Sequence, residues 1–220
     1  MSNATRLVGR SSVLSLVVAA VALWGASAAL GAVPVTITNP GFENPALAEG
    51  DWTSDNSIIG WIQINGADIG VWNVGPADFP NGAAEGLNVA YLYVPVNGQG
   101  FGQVLSGDTG RLQRGASYTL TVAVGNSASY AAFPGYQVQL LAGGTLLAQD
   151  ENTLTPAEGR FVTSTVTYTY ASAHGALVGQ PLEIRLLSKG QNSSEEMEFD
   201  DVRMTVTVMP LTSGAVLLVR

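Results

Sequence analysis

Two kinds of side chain in this sequence could do chemistry: carboxylates placed beside turns, and aromatic rings interleaved with amides. Glu43 follows the turn-forming run Asn39-Pro40-Gly41-Phe42, and Asp200 lies in the distant run Glu198-Phe199-Asp200-Asp201-Val202. A calcium ion takes roughly 6–8 oxygens from carboxylates and from carbonyls that turns expose. Residues 39–43 can supply carbonyls, and Glu43 and Asp200 can supply charge, so the pair is a candidate calcium site. The plainer alternative has both carboxylates accepting backbone N–H bonds at strand ends. Nothing nearby resembles a water-activating centre, so a metal here would be structural.

The aromatic set suggests recognition. Sugars present apolar C–H faces and hydroxyl edges, which rings and amides match. The loops 72–81 and 126–136 form the best rim, because aromatic residues in polar loops call for a reason. Trp72, Asn73, Asn126, Tyr130 and Tyr136 are the expected ligand contacts, whereas Trp61, Tyr91, Tyr118 and Tyr168 are read as packing.

Hydrolysis is the third chemistry considered. Asp51, Asp55, Asp68, Asp78 and Glu85 lie in one loop-rich region and could contain the two carboxylates that glycoside cleavage needs. Acids in loops are ordinarily solvated, however, and spacing alone sets no geometry. The chain has one His, His174, in a loop setting, and neither a Gly-x-Ser-x-Gly elbow nor a His-Glu-x-x-His pair. The sequence is therefore read as non-catalytic. The acidic run Glu195, Glu196, Glu198, Asp200 and Asp201 is read as a solvated edge that discourages strand-to-strand aggregation.

The elements that must position these residues are strands. Gly is abundant at 26 residues and charged residues make up only 12% of 220, while Thr, Val and Tyr dominate the middle. That composition suits short strands and tight turns. Val35–Thr38 reads as the first strand, and Asn65-Gly66 as a hairpin turn between the runs 58–64 and 69–74. Tyr118–Val124 alternates as a strand with one buried face, and Ala142-Gly143-Gly144 turns another hairpin. Thr155-Pro156 could open one helical turn. Phe161–Tyr170, Leu182–Leu186 and Met197–Val208 follow, giving roughly nine or ten strands at sandwich-like spacing. Without crossover helices the sheets should be antiparallel. The first and last strands are expected to meet.

Residues 1–32 read as a signal peptide: Arg6 and Arg10 precede an apolar run, and Ala26-Ser27-Ala28 offers small residues for cleavage. Removing those two positive charges takes the formal charge from −8 to −10 over residues 33–220. Such an acidic surface repels nucleic-acid backbones and anionic lipid. With no Cys, disulfides and thiolate chemistry are excluded. The apolar run 215–219 is too short to span a bilayer, so no stable membrane span is expected in the mature chain.

Several stretches carry a resemblance: ITNPGFENP near residue 37, DWTSDNSIIGW, FPNGAAEGLNVAYLY, FPGYQVQLLAGGTLLAQD and FDDVRM. Over residues 35–208 they resemble bacterial secreted proteins that carry a PEP-CTERM sorting tail on a galactose-binding-like jelly roll. The resemblance implies export to the envelope or beyond, and a fold shared with carbohydrate-binding modules. It also implies a structural calcium joining the N-terminal turn to the last strand, with Glu43 and Asp200 as the matching side chains. The tail 209–220 departs from the pattern, lacking the Glu, the full apolar span and the basic cluster.

The combined expectation is an all-β antiparallel sandwich of jelly-roll type over 33–208, between a signal peptide and a degenerate tail. Its expected role is that of a secreted, non-catalytic module binding polysaccharide of the extracellular matrix. The alternative is a structural or adhesive surface protein without a glycan site.

Overall fold

The computed structural model describes residues 31–208, apart from residues 54, 131 and 192–194. Nearly all of the expected signal peptide, and the whole expected tail, lie outside the described residues. Eleven strands form among them: β1 (Val33–Pro34), β2 (Ile62–Ile64), β3 (Asp68–Asn73), β4 (Asn88–Tyr93), β5 (Gly100–Val104), β6 (Ala116–Asn126), β7 (Tyr136–Ala142), β8 (Thr145–Glu151), β9 (Arg160–Thr169), β10 (Leu182–Ser188) and β11 (Glu196–Val208). One 3-10 helix spans Ser172–Leu177, not the 155–159 segment where a helical turn was expected.

The strands form two antiparallel sheets of a jelly-roll sandwich. The first runs β3-β4-β11-β6-β9, with β1 also on β11, and the second runs β2-β5-β10-β7-β8. The chain's ends do meet: Val33 pairs with Val206 and Pro34 with Thr205. The expected strand 35–38 is reduced to this two-residue pairing at 33–34. The Asn65-Gly66 turn joins β2 in one sheet to β3 in the other, so it is a corner and not a hairpin. Gly143-Gly144 does turn a hairpin, with Ala142 opposite Thr145.

Alternation explains the core. In β6 the residues Tyr118, Leu120, Val122 and Val124 face the second sheet, and all are buried. Met197 and Phe199 of β11, with Leu92 and Ala90 of β4, share that inner face. The interior ends in a knot of rings. Phe101 meets Phe42, Trp61 and Phe199 edge-on, with centroids 5.9, 5.4 and 5.9 Å away. Edge-to-face pairs of this kind add about 0.5–1.5 kcal/mol each beyond the area they bury.

What matters for function is the opposite face of the first sheet. Residues at even positions of β11 cannot face the core if Met197 and Phe199 do. Glu196, Glu198 and Asp200 therefore point outward, beneath the loops 44–57, 75–87 and 127–135. A bulge at Asp201, where φ is +47°, then resets the alternation so that Val202 turns inward again. Those loops seal the outer face with a small second core of Val74, Phe79 and Val89, closed by Trp72, Ala83 and Phe161.

Candidate active site

The outer face of the first sheet is laid out in rows across the strands. Asp68 of β3 pairs with Tyr93 of β4, which pairs with Glu196 of β11. One row along, Gly70 pairs with Tyr91, Tyr91 with Glu198, and Glu198 with Gly125 of β6. Acid, ring and acid thus lie side by side, and the glycines leave room above the second row. A Cβ at Gly70 would stand 2.6 Å from both the Thr53 carbonyl and the Tyr91 ring, and one at Gly125 would stand 2.6 Å from the Phe161 ring.

Above these rows lies a cavity of about 630 Å³, within the range of sites that enclose a small organic ligand. Its aromatic wall is Trp52, Trp72, Tyr91, Tyr93 and Tyr130, and its polar groups include Glu49, Asp68, Asp78 and Glu196. Among the described residues no Lys, Arg or His lines it. Tyr130 meets Tyr93 edge-on at 6.1 Å. The Tyr91 hydroxyl donates to the Thr53 carbonyl at 2.6 Å, which fixes its ring in the wall. Ser129 donates to Asp78, tying loop 127–135 to loop 75–87.

The carboxyl groups are unusual. Burial pushes Glu196 up to about 7, helped by the negative charges of Asp78 and Asp68 and opposed by the facing Tyr130 hydroxyl. Glu198 is wholly buried, and neither of its oxygens has a hydrogen-bond partner among the described residues. Burial raises it well above the usual carboxylate range, and the charge of Glu196 adds to this. The Ser127 amide opposes the shift by proximity, without an aligned hydrogen bond. An unpaired buried carboxylate is costly, so such a group holds its proton. Burial and then the charges of Asp68, Glu196 and Asp55 push the Tyr91 hydroxyl up to about 12. Near neutrality this site therefore holds a carboxylic acid with a transferable proton beside a wall of neutral rings. That is the equipment of a general acid.

Of the expected ligand contacts, Trp72 and Tyr130 line the cavity. The other three are scaffold. Asn73 is buried and donates to the Leu47 carbonyl at 2.8 Å. Asn126 is buried and donates to the Pro156 carbonyl at 3.0 Å. Tyr136 is fully buried, with its hydroxyl on Asp150 at 2.7 Å. Tyr91, read as packing, is part of the cavity wall. The acidic run read as a solvated edge is the reverse: β11 is a central strand, and Glu196, Glu198 and Asp200 are buried. The spacing of those acids at every second residue was the available signal, since it puts all three on one face of a strand. Asp68 and Asp78, weighed for hydrolysis, do reach the cavity, whereas Asp51 and Asp55 do not line it.

Glu43 and Asp200 both end on one turn, residues 85–88. Glu43 Oε1 accepts the Leu87 and Asn88 amides at 2.8 Å each. Asp200 Oδ2 accepts the Glu85 amide at 2.7 Å, and its Oδ1 accepts the Asp201 amide at 2.6 Å. Among the described residues no group of three or more His, Cys, Asp or Glu side chains is placed to hold a metal.

Comparison with known families decides how this cavity is read. Residues 33–205 match the HpiC1-like family, described as HpiC1 cyclase. The chain belongs to the HpiC1-like cyclase family. No match was found among curated protein sequences. A Stig cyclase from Fischerella sp. TAU, solved in complex with (3Z)-3-(1-methyl-2-pyrrolidinylidene)-3H-indole, is 37% identical with a TM-score of 0.73; the match covers 82% of this chain and 100% of that one. A cyclase from the same source in complex with 4-(1H-indol-3-yl)butan-2-one is 37% identical with a TM-score of 0.72, covering 81% and 99%. The carbohydrate-binding module TmCBM61 in complex with beta-1,4-galactotriose reaches 12% identity and a TM-score of 0.50, covering 77% and 97%, a likeness of fold alone.

These findings correct the expectation drawn from the sequence. Family membership replaces the non-catalytic polysaccharide module, the matrix partner and the PEP-CTERM assignment with a cyclase family. The jelly roll was right, and it is shared with carbohydrate-binding modules, which is how the sugar reading arose. The acids and rings are gathered around one cavity on the outer face of the first sheet.

Proposed function

We propose that this protein is a cyclase that uses Glu196 as general acid to close a ring in an unsaturated, indole-like precursor within the cavity. The observation that carries the reading is the placement of Glu196 in that wall of neutral rings, with a carboxyl group that keeps its proton close to neutrality. The indole ligands of the two Fischerella cyclases support the choice of precursor class.

The chemistry follows from the geometry. The Glu196 carboxyl gives its proton to one carbon of the precursor's double bond, whose π pair forms the new C–H bond. The adjacent carbon becomes cationic. A ring carbon of the precursor supplies the electron pair for the new C–C bond, and the proton lost from that carbon returns to the Glu196 carboxylate. Product and precursor are isomers. The rings of Trp72, Tyr91, Tyr93 and Tyr130 stabilise positive charge, an interaction of about 0.5–2 kcal/mol per ring according to its exposure. Glu198 behind Glu196 remains neutral and spares it a further negative neighbour beside Asp78 and Asp68.

Calcium belongs to the same proposal as a structural partner. The Glu85 and Asp200 carboxylates both face Gly41. Burial, and then the charges of Glu85 and Asp201, push Asp200 up to about 8. A divalent ion there would relieve that repulsion, with turn carbonyls from 39–43 completing an oxygen shell. Glu43 would hold the turn in place. The apolar run behind Arg6 and Arg10 supports export as the chain's destination.

The test is an isomerisation assay on a panel of alkenyl-substituted indoles, separated by chromatography and identified by unchanged mass. The wild type should convert at least one member to a cyclic isomer. Glu196→Gln, which keeps shape and loses the proton, should be slower by about 10²–10⁴-fold. Undiminished conversion by Glu196→Gln, or no conversion of any member by the wild type, would overturn the proposal.

A further inference from the structure

Trp52 is the most exposed aromatic side chain among the described residues, at 64%, yet its backbone is fixed on both sides. The Thr53 amide donates to the Val71 carbonyl at 2.8 Å, and the Asn73 amide donates to the Asp51 carbonyl at 3.0 Å. The Gly50 amide adds a bond to the Asn73 carbonyl at 2.8 Å, and the Val71 amide adds one to the Thr53 hydroxyl at 2.9 Å. Residues 50–53 thus extend the first sheet beyond β3, with Trp52 opposite Trp72. The bonds run through the neighbours of this pair and not between its own members. That is the close antiparallel register, in which facing Cα atoms lie about 4.5 Å apart and the two side chains share one face. The face is the outer one, because Ile69 and Val71 of β3 point into the core. Trp72 leans on the small second core and has Val89 of β4 on its other flank. Trp52 packs into neither core and lines the cavity beside Trp72. The Tyr91 ring lies over Gly70, the next residue of β3 on that face, so rings continue from Trp52 through Trp72 into the cavity. An exposed indole on a hydrogen-bonded backbone offers its π surface to a flat partner at little further cost in ordering the chain.

We propose that Trp52 is a specificity-determining residue: its indole takes up the aromatic body of the ligand at the cavity mouth and selects flat ligands over saturated ones of the same size. This rests on the reading of the cavity as an aromatic-ligand site and adds to it the residue that chooses the ring. Trp52 is exposed and Glu196 is buried, so the aromatic body sits at the mouth and its side chain points inward, towards the acid. Trp52 takes no part in proton transfer.

Calorimetric titration of the protein with two neutral probes tests the assignment. One is 4-(naphthalen-1-yl)butan-2-one, and the other is its decahydro analogue, which carries the same chain on a saturated, puckered double ring. In Trp52→Ala the naphthyl probe should bind about tenfold more weakly than in the wild type, a loss of about 1.4 kcal/mol. The decahydro probe, which cannot stack, should lose no more than about twofold, and Trp52→Phe, which keeps a ring, should hold the naphthyl probe within about threefold of the wild type. Trp52 gives the sheet its backbone and neither core its ring, so these variants should fold. Equal losses for the two probes in Trp52→Ala would overturn the selection of flat ligands. Unchanged affinity for the naphthyl probe in Trp52→Ala would overturn the contact itself, while binding by the wild type would leave the aromatic site standing. Failure of the wild type to bind either probe would overturn the aromatic site and the role of Trp52 together.

Discussion

Glu198 shows most clearly how single residues reveal the purpose of this fold. A buried carboxyl group with no partner is destabilising, and replacing such a group by an apolar one of similar size is often neutral or favourable. Glu198→Met should therefore raise the urea midpoint, by the equivalent of about 1–3 kcal/mol. A lowered midpoint would mean that an unseen partner, such as ordered water, satisfies the acid. The sequence displayed this residue without disclosing its role. Glu196, Glu198 and Asp200 alternate with Met197 and Phe199, so their common face was legible. Whether that face met solvent or lay beneath loops depended on where β11 sits, and strand order is not written in local pattern. Tyr91 was misjudged for the same reason: its ring is as buried as a core ring, yet it lies on the opposite face from the core.

At the scale of elements, the site depends on turns held by distant carboxylates. Glu43 fixes the amides of residues 87 and 88, and Asp200 fixes that of Glu85, so the loop over the cavity is anchored from two strands of chain far apart in sequence. The sequence did mark these two residues as partners across the fold. It could not show that Glu85 would join Asp200 over Gly41, because that depends on the path of loop 75–87. Calcium should accordingly raise the melting temperature, a chelator should reverse the rise, and Asp200→Asn should abolish it. Glu43→Ala should lower stability by about 1–3 kcal/mol through the amides it leaves unpaired. A melting temperature indifferent to calcium in the wild type would remove the metal from the account and leave the backbone anchoring as the whole role of these residues. The Asn65-Gly66 turn teaches a related lesson. Its composition suits a tight turn, and composition cannot distinguish a hairpin from a corner that sends the chain to the other sheet.

At the scale of the molecule, the sandwich was legible because alternation repeats strand after strand. Activity was not, because a jelly roll of this kind serves sugar-binding modules and cyclases alike. Concentrating acids in that cavity has a consequence for stability. Glu196 has a folded value raised to about 7, above its ordinary value near 4.5. The folded state therefore binds more protons than the unfolded state between those values. Its contribution is fully present below about pH 4.5 and is lost as pH rises through about 7. The wild type should be more stable at pH 5 than at pH 8, and Glu196→Gln should flatten that slope by an amount on the order of 2–3 kcal/mol. A slope unchanged by the substitution would assign the effect to other buried acids.

The central claim is that a carboxylic acid keeps its proton in this cavity near neutral pH. The most direct measurement is a carbon-13 NMR titration of the glutamate carboxyl groups, with the Glu196 signal assigned by its absence in Glu196→Gln. A midpoint near 7, shifted when 4-(1H-indol-3-yl)butan-2-one is added, is the result expected. A midpoint in the ordinary carboxylate range near 4.5, indifferent to that ligand, would contradict the assignment of Glu196 as the acid.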